Sequence, residues 1–124
     1  MLDKINLDHK FSLFSDYYSP KIVGALNDFH VKLVKLQGEF VWHHHDVEDE
    51  LFFVVKGALK MTVREDGAER EIVIQPGEFI IIPHGVEHCP SAEQETHILL
   101  LEPKSTLNTG NVEGERTVRE LEKL

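Results

Sequence analysis

Between Ile22 and Glu102 the chain is a succession of short apolar runs, rich in β-branched residues and separated by turn residues. No other feature constrains the fold as much, because short strands in regular succession are the signature of an all-β sandwich or barrel. Strands are expected near IVGAL (22–26), HVKLVKL (30–36), EFVWHHH (39–45), ELFFVVK (50–56), ALKMTVRE (58–65), REIVIQ (70–75), EFIIIP (78–83), VEHCP (86–90) and THILLLEP (96–103). The intervening segments carry Gly, Asn, Asp or Pro where the chain must reverse, as in LND (26–28), KGA (56–58), EDGAE (65–69), QPGE (75–78) and PHGV (83–86).

A chain of 124 residues is long enough to bury one core and is expected to fold as a single domain spanning 1–124. The barrel is expected over about 22–103. Residues 1–21 form an N-terminal arm whose Phe11, Phe14, Tyr17 and Tyr18 would cover a sheet edge or cross to a second subunit. Residues 104–124 form a tail, irregular at first and expected to end in a short C-terminal helix over RTVRELEKL (116–124).

Thirteen Lys and Arg against 22 Asp and Glu leave a formal charge of −9, which repels phosphate backbones and anionic lipid. Neither nucleic acid nor a membrane surface is expected as a partner. Cys89 is the only cysteine, so no intrachain disulfide can form. The opening MLDKINLDHK lacks the apolar run of a signal peptide, and the expected location is the cytoplasm.

The chemistry is concentrated in WHHHDVEDE (42–50). Side chains alternate along a strand, so if His43 points into a barrel His45 does too, roughly 6.5 Å further on, and His44 points out. Two inward imidazoles can share a divalent metal, zinc, iron, nickel and copper all suiting this donor. Glu50 shares its face with Phe52 and Val54, and a carboxylate among inward apolar residues needs a cation or donor to offset its desolvation. Asp46, Glu48 and Asp49 read as solvated turn charges. In PGEFIIIPHGVEHCP (76–90), Pro83 and Gly85 enforce a turn that can aim His88 back at the same site. His84 in that turn and His97 in HILLL are secondary candidates outside this set. Cys89, of opposite parity to His88, reads as a buried, inert thiol.

These two stretches resemble the two motifs of the cupin superfamily. In the first, two histidines separated by one residue are followed by Glu50, with four residues between it and His45, and by Gly57, with six residues between it and Glu50. In the second, Gly77, Pro83, Gly85 and His88 match in type and spacing. Gly38 lies one position closer to His43 than the pattern has it, and Ala92 stands where the family often has Asn. The resemblance implies a double-stranded β-helix, or jelly roll, with one divalent transition metal ion (Fe, Mn, Ni, Zn or Co) held by His43, His45, Glu50 and His88. The whole chain further resembles small one-domain cupins of the mannose-6-phosphate-isomerase-like grouping, including Glu102, Pro103 and Asn108 to Gly110, a label that does not establish sugar isomerase activity.

A metal-dependent enzyme acting on a small oxygenated or carbohydrate-like metabolite is the expected function, by dioxygenase, isomerase or lyase chemistry. The alternatives are a non-catalytic cupin that binds or senses a small-molecule ligand, and a metal-free structural module. A homodimer is expected as well. The parity that sends Glu50, Phe52 and Val54 inward sends Leu51, Phe53 and Val55 outward, and an apolar outer face needs a cover.

Overall fold

The computed structural model describes residues 2–124. Its elements run α1 (Leu7–Phe11), β1 (Lys21–Leu26), β2 (Phe29–Glu39), β3 (Glu50–Lys56), β4 (Leu59–Glu65), β5 (Ala68–Ile74), β6 (Phe79–Ile82) and β7 (Glu87–Pro103). All strand pairs are antiparallel, in the order β1-β2-β7-β3-β6, with β4 joined to both β5 and β7.

The 17-residue β7 organises both layers of the jelly roll. Its later half, from Thr96 onward, lies between β2 and β3, while its earlier half, Glu87–Ser91, pairs with β4. The register shifts between Leu36 and Gly38 on β2 and between Val54 and Lys56 on β3. Such bulges bend strands and sharpen their twist, which curls one sheet over the other. The expected strands VEHCP and THILLLEP are thus parts of one strand.

Alternation places the core as the apolar pattern demands. Phe52 and Val54 of β3, Leu59, Met61 and Val63 of β4, Ile98 and Leu100 of β7, and Val34 and Leu36 of β2 fill the space between the layers. At the turn between β3 and β4, Gly57 has φ +91°, and a Cβ there would come within 2.5 Å of the Thr96 hydroxyl. Only glycine combines that backbone with so close an approach.

Two local expectations are corrected. EFVWHHH is not a strand beyond Glu39: residues 40–49 run as an extended loop held to β7 by the bridge between His43 and His88 and by Phe40 N donating to Pro90 O at 3.0 Å. The C-terminal helix is absent as well, since residues 116–124 contain no helix and Lys123 bridges to Ile22 instead. An isolated nine-residue helix is marginal in water. The free edge of β1 offers the same residues backbone partners, with Ile22 N donating to Glu122 O and Leu124 N to Ile22 O, each at 2.9 Å.

The helix that does form is in the N-terminal arm, capped by Asn6 Oδ1, which accepts from His9 N at 3.0 Å. The arm lies on the outer face of its own sheet. Phe11 and Phe14 pack with Val23 and Leu33 in a second apolar cluster that also touches Val55 and Leu99. Phe11 stacks on His97 at 4.4 Å, and Lys35 Nζ donates to the Phe14 carbonyl at 2.6 Å. Outward-facing apolar residues therefore find part of their cover within the chain. Replacing Phe11 by Ala should cost about 3–5 kcal/mol, the usual penalty for emptying a buried Phe site. A lowered urea midpoint would show it, and an unchanged midpoint would mean the arm is not docked in solution.

Candidate metal centre

His43 and His45 come from the extended loop, Glu50 is the first residue of β3, and His88 is the second residue of β7. His43 and His88 exchange both backbone hydrogen bonds, His43 N to His88 O at 3.0 Å and His88 N to His43 O at 2.9 Å. An antiparallel pair of this kind puts both side chains on one face. The ring centroids stand 4.3 Å apart. His45 is tethered separately, its carbonyl accepting from Gly85 N at 2.7 Å, so the turn after β6 holds the second histidine as well as aiming His88.

Tautomers follow from the local backbone. Nδ1 of His43 faces the Val41 carbonyl and Nδ1 of His88 faces the Val86 carbonyl, both at 2.9 Å. Neutral imidazoles donating from Nδ1 present the Nε2 lone pair inward, the usual way an outer hydrogen bond orients a metal-ligating histidine. Glu50 Oε1 lies 2.8 Å from His45 Nε2 and 3.2 Å from His88 Nε2.

All four side chains are buried, and one ligand atom from each lies within 4.8 Å of the others. Donors on opposite sides of an ion, each about 2.1 Å from it, stand about 4.2 Å apart, so the cluster has the right span. His45 Nε2, Glu50 Oε1 and His88 Nε2 have no hydrogen-bond partner of acceptable geometry. Buried polar atoms without partners are costly, and three converging on one point fit a cation. The residues present therefore fit a divalent metal.

Burial, with a contribution from His88, pushes the pKa of His43 down to about 4. Burial alone would raise Glu50, yet contacts from Glu102, His45 and His88 hold its carboxyl well below the usual range. Glu102 is raised well above that range, by burial first and then by the Glu50 charge. It is only 2% exposed and pairs with Lys32 Nζ at 2.7 Å. Neither Lys32 nor Glu102 stands among the sequence-predicted site residues. The signal was available: Glu102 shares strand parity with Ile98 and Leu100, and Lys32 with Val34 and Leu36, so both are charges on core-facing positions.

The other candidates fall outside the cluster. His44 turns away, its Nε2 3.0 Å from Asp46 Oδ1, and its parity is as expected. His84 is exposed and pairs with Asp49 at 2.8 Å. His97 faces outward under the N-terminal arm. Cys89 is 3% exposed with its thiol pushed up to about 11 by burial, which leaves it protonated and unreactive.

The C-terminal tail closes on the site. Asn111 N donates to His44 O at 3.1 Å, and His44 N donates to Asn111 Oδ1 at 2.9 Å. Gly110, with φ +56°, packs so tightly on the His44 carbonyl and His43 ring that a Cβ has no room. A cavity of about 40 Å³ beside His43 and Glu50 is lined by Tyr18, Phe40, Phe52 and Asn108 among others. Its walls are mainly apolar and aromatic, as in small-molecule sites generally.

A Cupin domain family model matches residues 30–102. The chain belongs to the cupin family. A cupin-2 domain protein of Shewanella frigidimarina, whose crystal structure is known, superposes with a TM-score of 0.76 at 45% identity, over 81% of this chain and 94% of that one. The Bacillus subtilis protein YdbB is 32% identical over 66% of this chain and 70% of its own length. A 3-hydroxyanthranilate 3,4-dioxygenase of Neurospora crassa is 31% identical over 67% of this chain, but the match spans only 46% of the dioxygenase.

His43 also fixes a pH dependence. Its pKa is lower folded, about 4, than its ordinary 6.5, so as pH falls between these values the unfolded chain takes up a proton that the folded metal-free protein refuses. Stability contributed at pH 7 is lost on acidification, by up to about 3 kcal/mol. Urea titrations at pH 7 and 4.5 should show the loss in the parent and a smaller one in His43→Gln. Equal losses would place the acid sensitivity elsewhere.

Proposed function

We propose that the chain is a metal-dependent dioxygenase of the cupin family, holding one divalent transition metal ion through His43, His45, Glu50 and His88 and acting on a small oxygenated molecule. The observation that carries the metal assignment is the convergence of three buried, partnerless ligand atoms, with the fourth imidazole turned to the same point by its backbone hydrogen bond. Oxygen chemistry is favoured over isomerase or lyase chemistry by the likeness to the Neurospora enzyme.

A redox-active ion bound there would polarise a chelating substrate oxygen and bring it together with dioxygen. The chain's own residues do the rest. Three neutral imidazoles and one carboxylate leave a divalent ion with a single net positive charge, which favours an anionic enolate or phenolate oxygen over a neutral one. Tyr18, Phe40 and Phe52 present flat apolar surface to the body of a small unsaturated molecule and exclude water around it.

Protein reconstituted with iron or manganese should hold about one ion per chain by elemental analysis and consume oxygen with one of a panel of catechols, aminophenols and enediols. Glu50→Gln should lower metal content sharply while the apo fold persists. Metal content near zero in the reconstituted parent would overturn the metal assignment. Full metal occupancy without oxygen uptake across the panel would count against the dioxygenase assignment and favour a binding role.

We also infer a homodimer, supported by the face the N-terminal arm leaves open. Phe79 and Ile81 of the edge strand β6 are 59% and 53% exposed, and they pair across to the half-buried Phe53 and Leu51. An apolar edge strand of this kind invites pairing with another chain. A second copy burying this strip would give a dimer mass in light scattering, converted toward monomer by Ile81→Glu. A monomer mass at every concentration would reject the dimer.

A further inference from the structure

The cavity beside His43 and Glu50 is too small for the molecule it should receive. At about 40 Å³ it has room for a water or two, whereas a cavity that takes up benzene measures on the order of 150 Å³. A catechol therefore reaches the site only if a wall moves. Most of the walls are fastened. Val34, Leu36, Phe52 and Leu100 sit in paired strands, and Tyr18 is fixed by its amide to Lys35 O at 2.9 Å and by its hydroxyl to Gly38 O at 2.5 Å. Phe40 and His43 are bonded through their backbones to Pro90 and His88. Asn108 is the exception, since it belongs to the tail, where residues 104–122 contain no strand. On its outer side the same stretch of tail borders an open cleft of about 370 Å³, lined by His45, Val47, Glu48, Leu107, Gly110 and Asn111 among others. Residues 107–111 thus line both spaces, the inner cavity through Asn108 and the outer cleft through their other members.

We propose that residues 107–111 are a door between cleft and cavity: swung outward they join the two into one chamber at the metal and admit the substrate, and closed behind it they exclude water. This rests on the metal-dependent function proposed above. The tail is built for such a movement. It is anchored at both ends, Lys104 N donating to Asp28 O and Ile22 N to Glu122 O, each at 2.9 Å. Between the anchors its own side chains hold it together: Asn108 Nδ2 donates to Arg116 O at 2.7 Å, Asn108 Oδ1 accepts from Val118 N at 2.9 Å, and the Thr109 and Thr117 hydroxyls meet at 2.7 Å. A compact loop packed by its own side chains, in the manner of an Ω-loop, can swing without coming apart. Its fastening over the site is slight by comparison. Two bonds join Asn111 to the His44 backbone, at 3.1 and 2.9 Å, Ser105 Oγ donates to the exposed Glu48 at 2.7 Å, and Arg116 lies over the Tyr18 ring at 4.8 Å. Segments held by so few contacts open locally well below the cost of unfolding the barrel.

The test has two arms. In the first, cobalt-loaded protein without oxygen is mixed with 4-nitrocatechol, whose absorption shifts when its oxygens chelate a metal, and the binding rate is followed against probe concentration. A door makes that rate level off at the opening rate in the parent. Asn111→Ala, which removes the acceptor for His44 N, should raise the plateau about fivefold, the factor that the net worth of one hydrogen bond converts to. Asn111→Asp keeps an acceptor there and should stay near the parent. Gly110→Ala, whose Cβ has no room against the His44 carbonyl, should raise the plateau further. Rates that climb linearly with one slope in parent and variants would overturn the proposal, as would cobalt-loaded parent that never binds the probe. The second arm uses the metal-free parent and needs no ion. Amide hydrogen exchange should be equally fast at His44 and Asn111, whose bonds cross the closing face, and slower at Val118, whose bond lies within the door. Exchange at Val118 as fast as at Asn111 would mean that the tail frays rather than swings, and would likewise overturn the door. If the parent binds no cobalt, the metal reading of the site falls, and the exchange pattern alone decides whether the tail opens as a unit.

Discussion

The structure depends on the backbone hydrogen bonds that β7 makes to strands on both sides of the barrel. β2 and β3 do not pair with each other; each pairs with the later half of β7, and β4 pairs with the earlier half. One strand thus joins the two layers, and the residue where it enters the barrel, His88, is locked to His43 by a reciprocal pair of backbone bonds. The site is an outcome of this arrangement. Its histidines converge because the loop carrying them is tied down on several sides, His43 to His88, His44 to Asn111 and His45 to Gly85, and Glu50 joins them because strand parity continues its face through Phe52 and Val54 into the core.

Cover for the site comes from the chain's two ends. The N-terminal arm sends Tyr18 into the barrel, where it stacks on Phe40 at 4.6 Å, and the tail lays Arg116 over the Tyr18 ring at 4.8 Å. Asn108, Gly110 and Asn111 sit against the cavity and the His43–His44 backbone. The barrel and its loop supply the buried His and Glu cluster, and the two ends shape the space around it. Exposed acidic residues such as Asp46 and Asp49 satisfy nearby histidines and leave the four buried groups to one another.

Much of this was legible in the residues, and the parts that were not have a common cause. Alternation placed Glu50, Phe52 and Val54 inward and His44 outward because a period of two survives even in the extended loop, where no continuous ladder exists. The spacing of the two motifs singled out four residues, His43, His45, Glu50 and His88, that the fold brings together. What escaped was decided by distant partners. RTVRELEKL has helix-forming residues, yet the free edge of β1 offers hydrogen bonds that a nine-residue helix could not match. EFVWHHH has strand-forming residues, yet beyond Glu39 it finds only one pairing with β7. Lys32 and Glu102 lie 70 positions apart; parity marks each as a charge on a core-facing position, but not that the other is its partner. The arm posed a similar choice, since aromatic residues announce that something will be covered without saying which surface.

The central role of β7 also governs how the chain can fold during synthesis. The hairpins β1–β2 and β4–β5 are local and can close as soon as their own residues are free of the ribosome. β2 and β3, by contrast, must wait for residues 96–103 before their second edges are paired, so most of the chain is translated first. At about 5–20 residues per second, that interval lasts seconds, with one edge of an apolar strand such as ELFFVVK unpaired throughout. A nascent chain of this protein is therefore most prone to mispairing just before its last long strand emerges.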